Sequence, residues 1–190
     1  MNHGVQDPRR GDCLSPTKFV LLANPLEFIH EDHLREREIC AQIDALVSSE
    51  EPNTDALVNI LTFLRDELPL HLEDEEEDLF PLLRRRCEPE DEIGKAIKRL
   101  TSDHRHADNA TIQVIADLET LSSDRRTPSP DMRVRLAEYA GHARRHLILE
   151  NAIVLPFARL RLTTDDLETL RLRMIQRRGV DRLTEKSDAQ

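Results

Sequence analysis

Two short stretches decide how this chain is read: His71-Leu72-Glu73-Asp74-Glu75 and His146-Leu147-Ile148-Leu149-Glu150. In each, a histidine precedes a glutamate by four residues. In a helix, residues four apart lie on one face, one turn above each other. Each stretch therefore offers an imidazole and a carboxylate side by side, pointing the same way. Two such pairs on different helices, turned inward, are how helical bundles build two-metal carboxylate sites. The repeat predicts a chain built to hold such a site.

Working outward, each pair sits inside a longer apolar seam of helical period. The first lies in Leu57, Leu61, Leu64, Leu68, His71, Glu75, Leu79 and Leu82. Both of its members occupy places where the pattern expects leucine. Asn53 or Thr54 caps this helix, it continues to about Arg86, and Pro69 and Pro81 are expected to kink it. The second pair lies in Met132, Leu136, Tyr139, Ala143, His146, Glu150, Ile153 or Val154, and Phe157, on a helix from about Asp131 to Leu160.

Two further seams each carry a histidine. Asn24-Pro25-Leu26-Glu27 is a strong helix start, with a capping asparagine and a proline at the first helical position. From there to about Ser48 the seam is Leu26, Ile29, His33, Glu36, Cys40, Ile43 and Val47. Between Pro89 and Leu121 it is Ile93, Ile97, Leu100, His104, Ala107, Thr111, Val114, Leu118 and Leu121. The sequence predicts an all-α, up-down-up-down four-helix bundle over residues 18–160. Phe19 to Leu22 forms an N-terminal arm that must pack on something. A short fifth helix over 161–179 opens at Thr163, carries Leu167, Leu170 and Met174 on one stripe, and stops at Gly179. Residues 1–17 and 180–190 read as flexible tails.

Composition narrows the function classes. The chain has 190 residues, enough to bury a core without staples, and only 5 glycines, which favours helix. Its net charge of -10 argues against nucleic acid and anionic membrane as partners. Cys13, Cys40 and Cys87 show no paired spacing, so no disulfide framework or zinc knuckle follows. No stretch has the length of a membrane span or a signal sequence. The expectation is a cytoplasmic protein, with monomer and homodimer both open.

The four seam histidines can be checked for height. With short loops the helices are antiparallel neighbours, and counting ~1.5 Å per residue from each loop brings His33, His71, His104 and His146 to one level within about a turn. Four imidazoles and two carboxylates in one buried layer would leave unpaired donors and charge costing several kcal/mol. A metal removes that penalty by binding neutral imidazole and ionised carboxylate directly. The expected ligands are His33, His71, Glu75, His104, His146 and Glu150. Imidazole and carboxylate without thiolate suit iron, manganese or zinc, and six ligands are too many for a single tetrahedral zinc. Two ions with both glutamates bridging, plus an oxo or hydroxo bridge, leave about one or two positions open. Open positions on a redox pair imply dioxygen, peroxide or nitric oxide as the ligand.

These residues carry a family resemblance. Glu31-Asp32-His33, His71-x-x-x-Glu75 running into Glu76-Glu77-Asp78-Leu79-Phe80-Pro81-Leu82-Leu83, Asp103-His104, and His146-x-x-x-Glu150 followed by Leu155-Pro156 resemble the hemerythrin-like (HHE cation-binding) family over about Pro25 to Leu160. The resemblance implies a four-helix bundle around a non-haem di-iron centre. Family members include dioxygen carriers and sensors, peroxide-consuming proteins with catalase- or peroxidase-like activity, nitric-oxide responders and iron-handling proteins. The animal oxygen carriers place a second histidine where this chain has Asp108, and an aspartate five after the histidine where this chain has Glu150 four after. The resemblance therefore leaves two roles standing. One is a di-iron protein that binds or reduces a small oxidant. The other is a non-catalytic oxygen or iron sensor, or iron-handling module, acting through a partner. A structural zinc bundle is a third.

Other features have ordinary readings beside functional ones. In the acidic run Glu73 to Asp78 only Glu75 is expected to point inward. Glu36 is expected either to support a ligand or to sit wetted at the seam's edge. Tyr139 and Cys40 read as core. His30, His106 and His142 fall off the seam centres and are not expected as ligands, and His3 lies in the tail.

Overall fold

The computed structural model describes residues 13–124 and 127–180. Most of the two expected tails, with His3, and residues 125 and 126 of the loop before the fourth rod lie outside them. Every regular element among the described residues is helical: α1 Pro25–Ser48, α2 Thr54–Thr62, α3 Leu68–Glu73, α4 Phe80–Arg86, α5 Ile93–Asp124, α6 Pro130–Leu149, α7 Leu155–Arg161 and α8 Thr164–Arg177. Three π turns, Phe63–Glu67, Asp74–Leu79 and Glu150–Val154, join α2 to α3, α3 to α4 and α6 to α7 without a break. The chain thus makes four long rods, α1, α2–α4, α5 and α6–α7, followed by α8.

Each rod packs on two others in a closed ring: α1 on α2, α2 on α5, α5 on α6, and α6 back on α1. Two apolar clusters give the direction of every rod. One joins Leu26 and Ile29 from the start of α1, Leu79 to Leu83 from the end of the second rod, Ile93 to Leu100 from the start of α5, and Val154 to Ala158 from the end of the fourth. The other joins Ile39 to Leu46, Leu57 to Leu68, Val114 to Leu121 and Leu136 to Ala143, the opposite ends of the same rods. The order is therefore up-down-up-down, as the seams predict. The six expected ligands fall between the two clusters on every rod.

The rod ends follow local chemistry. Asn24, Asn53, Ser129 and Thr163 each accept a backbone N–H of the first turn that follows, filling donors the helix leaves free. The third rod begins later than the sequence suggests. Pro89–Asp91 is a separate 3-10 turn closed by a capping box between Glu88 and Asp91, and Glu92 takes a left-handed φ of 51° before α5 starts at Ile93. The arm is a 3-10 turn, Phe19–Ala23, that buries Leu21 and Leu22.

The kinks expected at Pro69 and Pro81 take a particular form. A proline lacks the N–H of the helical ladder, and its ring clashes with the carbonyl four residues back. Widening the preceding turn relieves both problems. All three π turns stand directly before a residue–proline step: Leu68-Pro69, Phe80-Pro81 and Leu155-Pro156. Two of them carry Glu75 and Glu150.

The acidic run corrects the sequence reading. Asp74 and Asp78 are buried as deeply as Glu75, at 0% and 2% exposure. Helix α8 causes this by laying its apolar stripe, Leu170 and Met174, on the bundle. Its arginines cover the acids. Arg178 meets Asp74 at 2.6 Å, Arg177 pairs with both Asp74 and Asp78, and Arg173 meets Asp78 at 2.5 Å. The guanidinium of Arg178 also lies 4.7 Å from the Phe28 ring centroid. Burial pushes the Asp74 carboxyl up, against the pull of Arg178 and Arg177.

Arg178→Ala leaves Asp74 buried beside one guanidinium and uncovers Phe28, so we expect a loss of about 2–4 kcal/mol. Urea unfolding measures it. A double-mutant cycle with Asp74→Ala should return a coupling of at least ~1 kcal/mol, and a coupling near zero would refute the clamp.

Candidate metal centre

The polar layer is built from all four rods. His33 comes from α1, His71 from α3 and Glu75 from the π turn after it, His104 from α5, His146 from α6 and Glu150 from the π turn that follows. All six are buried, and both glutamates have 0% exposure. Their ligand atoms form two groups of four, with the atoms of each group within 4.8 Å of one another. One group is His33, His71, Glu75 and Glu150; the other is His104, His146, Glu75 and Glu150. Both glutamates belong to both groups.

The two oxygens of each carboxylate divide between the two histidine pairs. Glu75 Oε1 lies 3.5 Å from His33 Nε2 and 3.7 Å from His71 Nε2, whereas its Oε2 lies 3.6 Å from His104 Nε2. Glu150 Oε2 lies 3.4 Å from His33 Nε2, whereas its Oε1 lies 3.8 Å from His104 Nε2 and 2.8 Å from His146 Nε2. His104 and His146 turn Nε2 toward Nε2 at 2.9 Å. Two ligands at ~2.1 Å from a shared ion and at right angles would stand ~3.0 Å apart.

Hydrogen bonding does not account for this layer. Both oxygens of Glu75 and of Glu150, both ring nitrogens of His33, and Nδ1 of His71 and of His146 are buried without a hydrogen bond. His146 Nε2 and Glu150 Oε1 approach to 2.8 Å as an ion pair. Orphaned buried groups of this kind cost about 1–3 kcal/mol each, and more when charged. The donor set, imidazoles and carboxylates with most of their buried atoms lacking a hydrogen-bond partner, therefore fits bound metal.

Carboxylates the sequence reading passed over stand behind the rings. Glu76 meets His104 Nδ1 at 2.6 Å, Asp32 lies 3.5 Å from His71 Nδ1, and Asp103 lies 3.9 Å from His146 Nδ1. The Glu76 hydrogen bond orients the His104 ring, and Asp32 and Asp103 place negative charge behind His71 and His146. Their signal was adjacency, since each acid immediately precedes or follows one of the six. Glu36 is buried at 7% exposure rather than wetted at an edge. Burial pushes its carboxyl up, against the pull of His71. Asp108 is exposed. His30 pairs with Asn151 at 3.3 Å and joins neither group of four.

The charge balance of the metal-free layer follows from these distances. Burial opposes charge on His71, yet Glu75 and Asp32 overcome it and push the ring up to about 10. His146 is pushed up to about 9, against burial, by Glu150. Glu150 is held well below the usual carboxylate range, against burial, by His146, His104 and His33. A histidine raised in the folded state stabilises fully below its ordinary 6.5, and that contribution is lost as pH rises through the folded value. The metal-free protein should lose stability to urea between pH 6.5 and about 10. A midpoint that is flat or rising over that range would contradict the arrangement.

Comparison with known proteins agrees with this geometry. The family model described as the hemerythrin HHE cation binding domain matches residues 24–158. A protein of Haemophilus influenzae, described as uncharacterized, is 28% identical over 174 residues, covering 88% of this chain and 97% of its own length. With a match over most of its length and a buried layer of four histidines and two glutamates, this chain belongs to the hemerythrin family of HHE cation-binding domains.

Proposed function

We propose that this chain is a non-haem di-iron protein that binds or reduces a small oxidant, namely dioxygen, hydrogen peroxide or nitric oxide. The observation that carries the reading is the division of each glutamate's two oxygens between two histidine pairs. That division suits two ions side by side and has no use around one. His33, His71, Glu75, His104, His146 and Glu150 are the proposed ligands. When bound, a pair of irons would supply one-electron redox chemistry and open positions for a diatomic or peroxide ligand.

The chain's own residues then act on the ligand's surroundings. The apolar clusters above and below the layer exclude bulk water, Glu76 orients the His104 ring, and Asp32 and Asp103 hold negative charge behind His71 and His146. A cavity of about 30 Å³ touches His71, His104 and His146, with Glu36 on its wall. That volume suits a water or a diatomic molecule rather than an organic substrate. Nucleic acid and membrane remain poor partners for a chain of net charge -10. Among the described residues no helix is long and apolar enough to cross a membrane. Cys13, Cys40 and Cys87 form no disulfide, which suits the reducing setting proposed for the chain. The apolar stripe of α8, Leu170 and Met174, packs on the bundle and so is not available to a partner.

Elemental analysis of the purified, iron-loaded chain tests the reading, together with its absorption spectrum. About two irons per chain are expected, with the charge-transfer bands of a coupled ferric pair, which zinc cannot produce. Glu75→Ala or Glu150→Ala removes a ligand of both positions and should bring metal below about one per chain. His71→Ala touches one position and should leave about one. Equal losses from all three variants would refute the shared-carboxylate arrangement. Gas release from added peroxide would identify catalase-type turnover, and reversible spectral change without release would identify a carrier or sensor.

A further inference from the structure

The cavity beside the proposed ligands shares two wall residues with a second one, whose lining reaches the exposed His106. The inner cavity, about 30 Å³, has Tyr139 and His142 on its wall together with His104 and His146. The outer crevice, about 180 Å³, lies between α5 and α6 and includes His106, Ala110, Arg135 and Glu138 on its lining. Tyr139 and His142 line both. They stand one turn apart on α6, so the two rings form the partition.

The opposite wall is cut away. On α5, Ala107 faces the inner cavity and Ala110 the outer, also one turn apart. Small residues there leave α6 to supply the bulk. The Tyr139 hydroxyl has a long contact of 3.4 Å from the Thr111 hydroxyl. His142 is half-buried, and its Nε2 is buried without a hydrogen bond. Its ring lies against that of His106 at 5.4 Å between centroids. A side chain with a buried, unpartnered ring nitrogen offers a hydrogen bond to a small polar molecule in the throat.

We infer that the crevice between α5 and α6 is the ligand's route to the metal centre, and that Tyr139 and His142 form a size-selecting gate across it. The gate admits molecules of two to four atoms, such as dioxygen, nitric oxide and hydrogen peroxide, and turns away organic hydroperoxides. This rests on the di-metal reading above and names the substrate class by size. A gate touches the ligand in passage rather than in the bound state. It therefore sets the rates of arrival and departure together and leaves affinity alone.

The test uses the full-length, iron-loaded chain with azide as probe, followed by stopped-flow absorption. His142→Ala should raise azide association and dissociation together by about tenfold, and Ala110→Phe should lower both by about tenfold, with Kd moving less than about twofold. tert-Butyl hydroperoxide should oxidise the reduced His142→Ala protein and leave the reduced wild type untouched. A second readout needs no iron. Tyr139 is the chain's one tyrosine and there is no tryptophan, so intrinsic fluorescence reports the throat itself. In the zinc-loaded protein, His142→Ala should raise quenching by acrylamide several-fold while quenching by dissolved oxygen stays near the wild-type value. Azide rates and acrylamide quenching that ignore both substitutions overturn the gate while leaving the metal centre standing. A chain that takes up no metal by elemental analysis overturns the parent reading instead, and the gate's role with it.

Discussion

Glu75 and Glu150 lose all contact with solvent at the middle of the bundle. Removing an ionised carboxylate from water without compensation is among the costliest acts a fold can perform. The rest of the structure answers that cost. Four histidines from four rods surround the two carboxylates, and apolar clusters close the layer from both sides. The antiparallel ring of rods is what lets residues far apart in sequence arrive at one height.

The same demand explains the irregular helices. Regular helix would carry Glu75 and Glu150 one turn above His71 and His146. They stand so here, with the Glu150 N–H still bonded to the His146 carbonyl; the π turn widens the helix just after each glutamate, and the proline that follows keeps the wide turn from reverting. The helical repeat therefore extends beyond histidine and glutamate to Pro81 and Pro156, each ten residues after its histidine. Helix α8 serves the same region from outside. Its arginines neutralise Asp74 and Asp78, which share the π turn of Glu75, and Arg178 also comes within 4.0 Å of Asp32 behind His71. The fifth helix is thus part of the centre's support as well as a cover.

A histidine–carboxylate layer of this kind can serve different tasks, so the immediate surroundings carry the distinction. Here they are a cavity of a few tens of Å³, an interior acid at Glu36, and a partition of two rings toward the α5–α6 crevice. Small alanines on α5 and rings on α6 make the approach narrow without making it closed. Steric exclusion of this sort costs the fold little, because it asks only for bulk at two positions on one helix face.

Periodicity is a local property, and the sequence by itself determined everything that periodicity and spacing encode. The four seams, the six inward polar residues and their common level could be read from helical period and loop length. So could the caps at Asn24, Asn53 and Thr163. What depends on how helices rotate against one another was decided only by the tertiary structure. No one-dimensional pattern says which oxygen of Glu75 faces His104, or that Glu76, Asp32 and Asp103 stand behind the rings. Asp74 and Asp78 looked solvated because a single rod leaves them outside its seam. They are buried because a later helix brings cations to them, and a contact between residues about 100 positions apart leaves no trace in either segment alone.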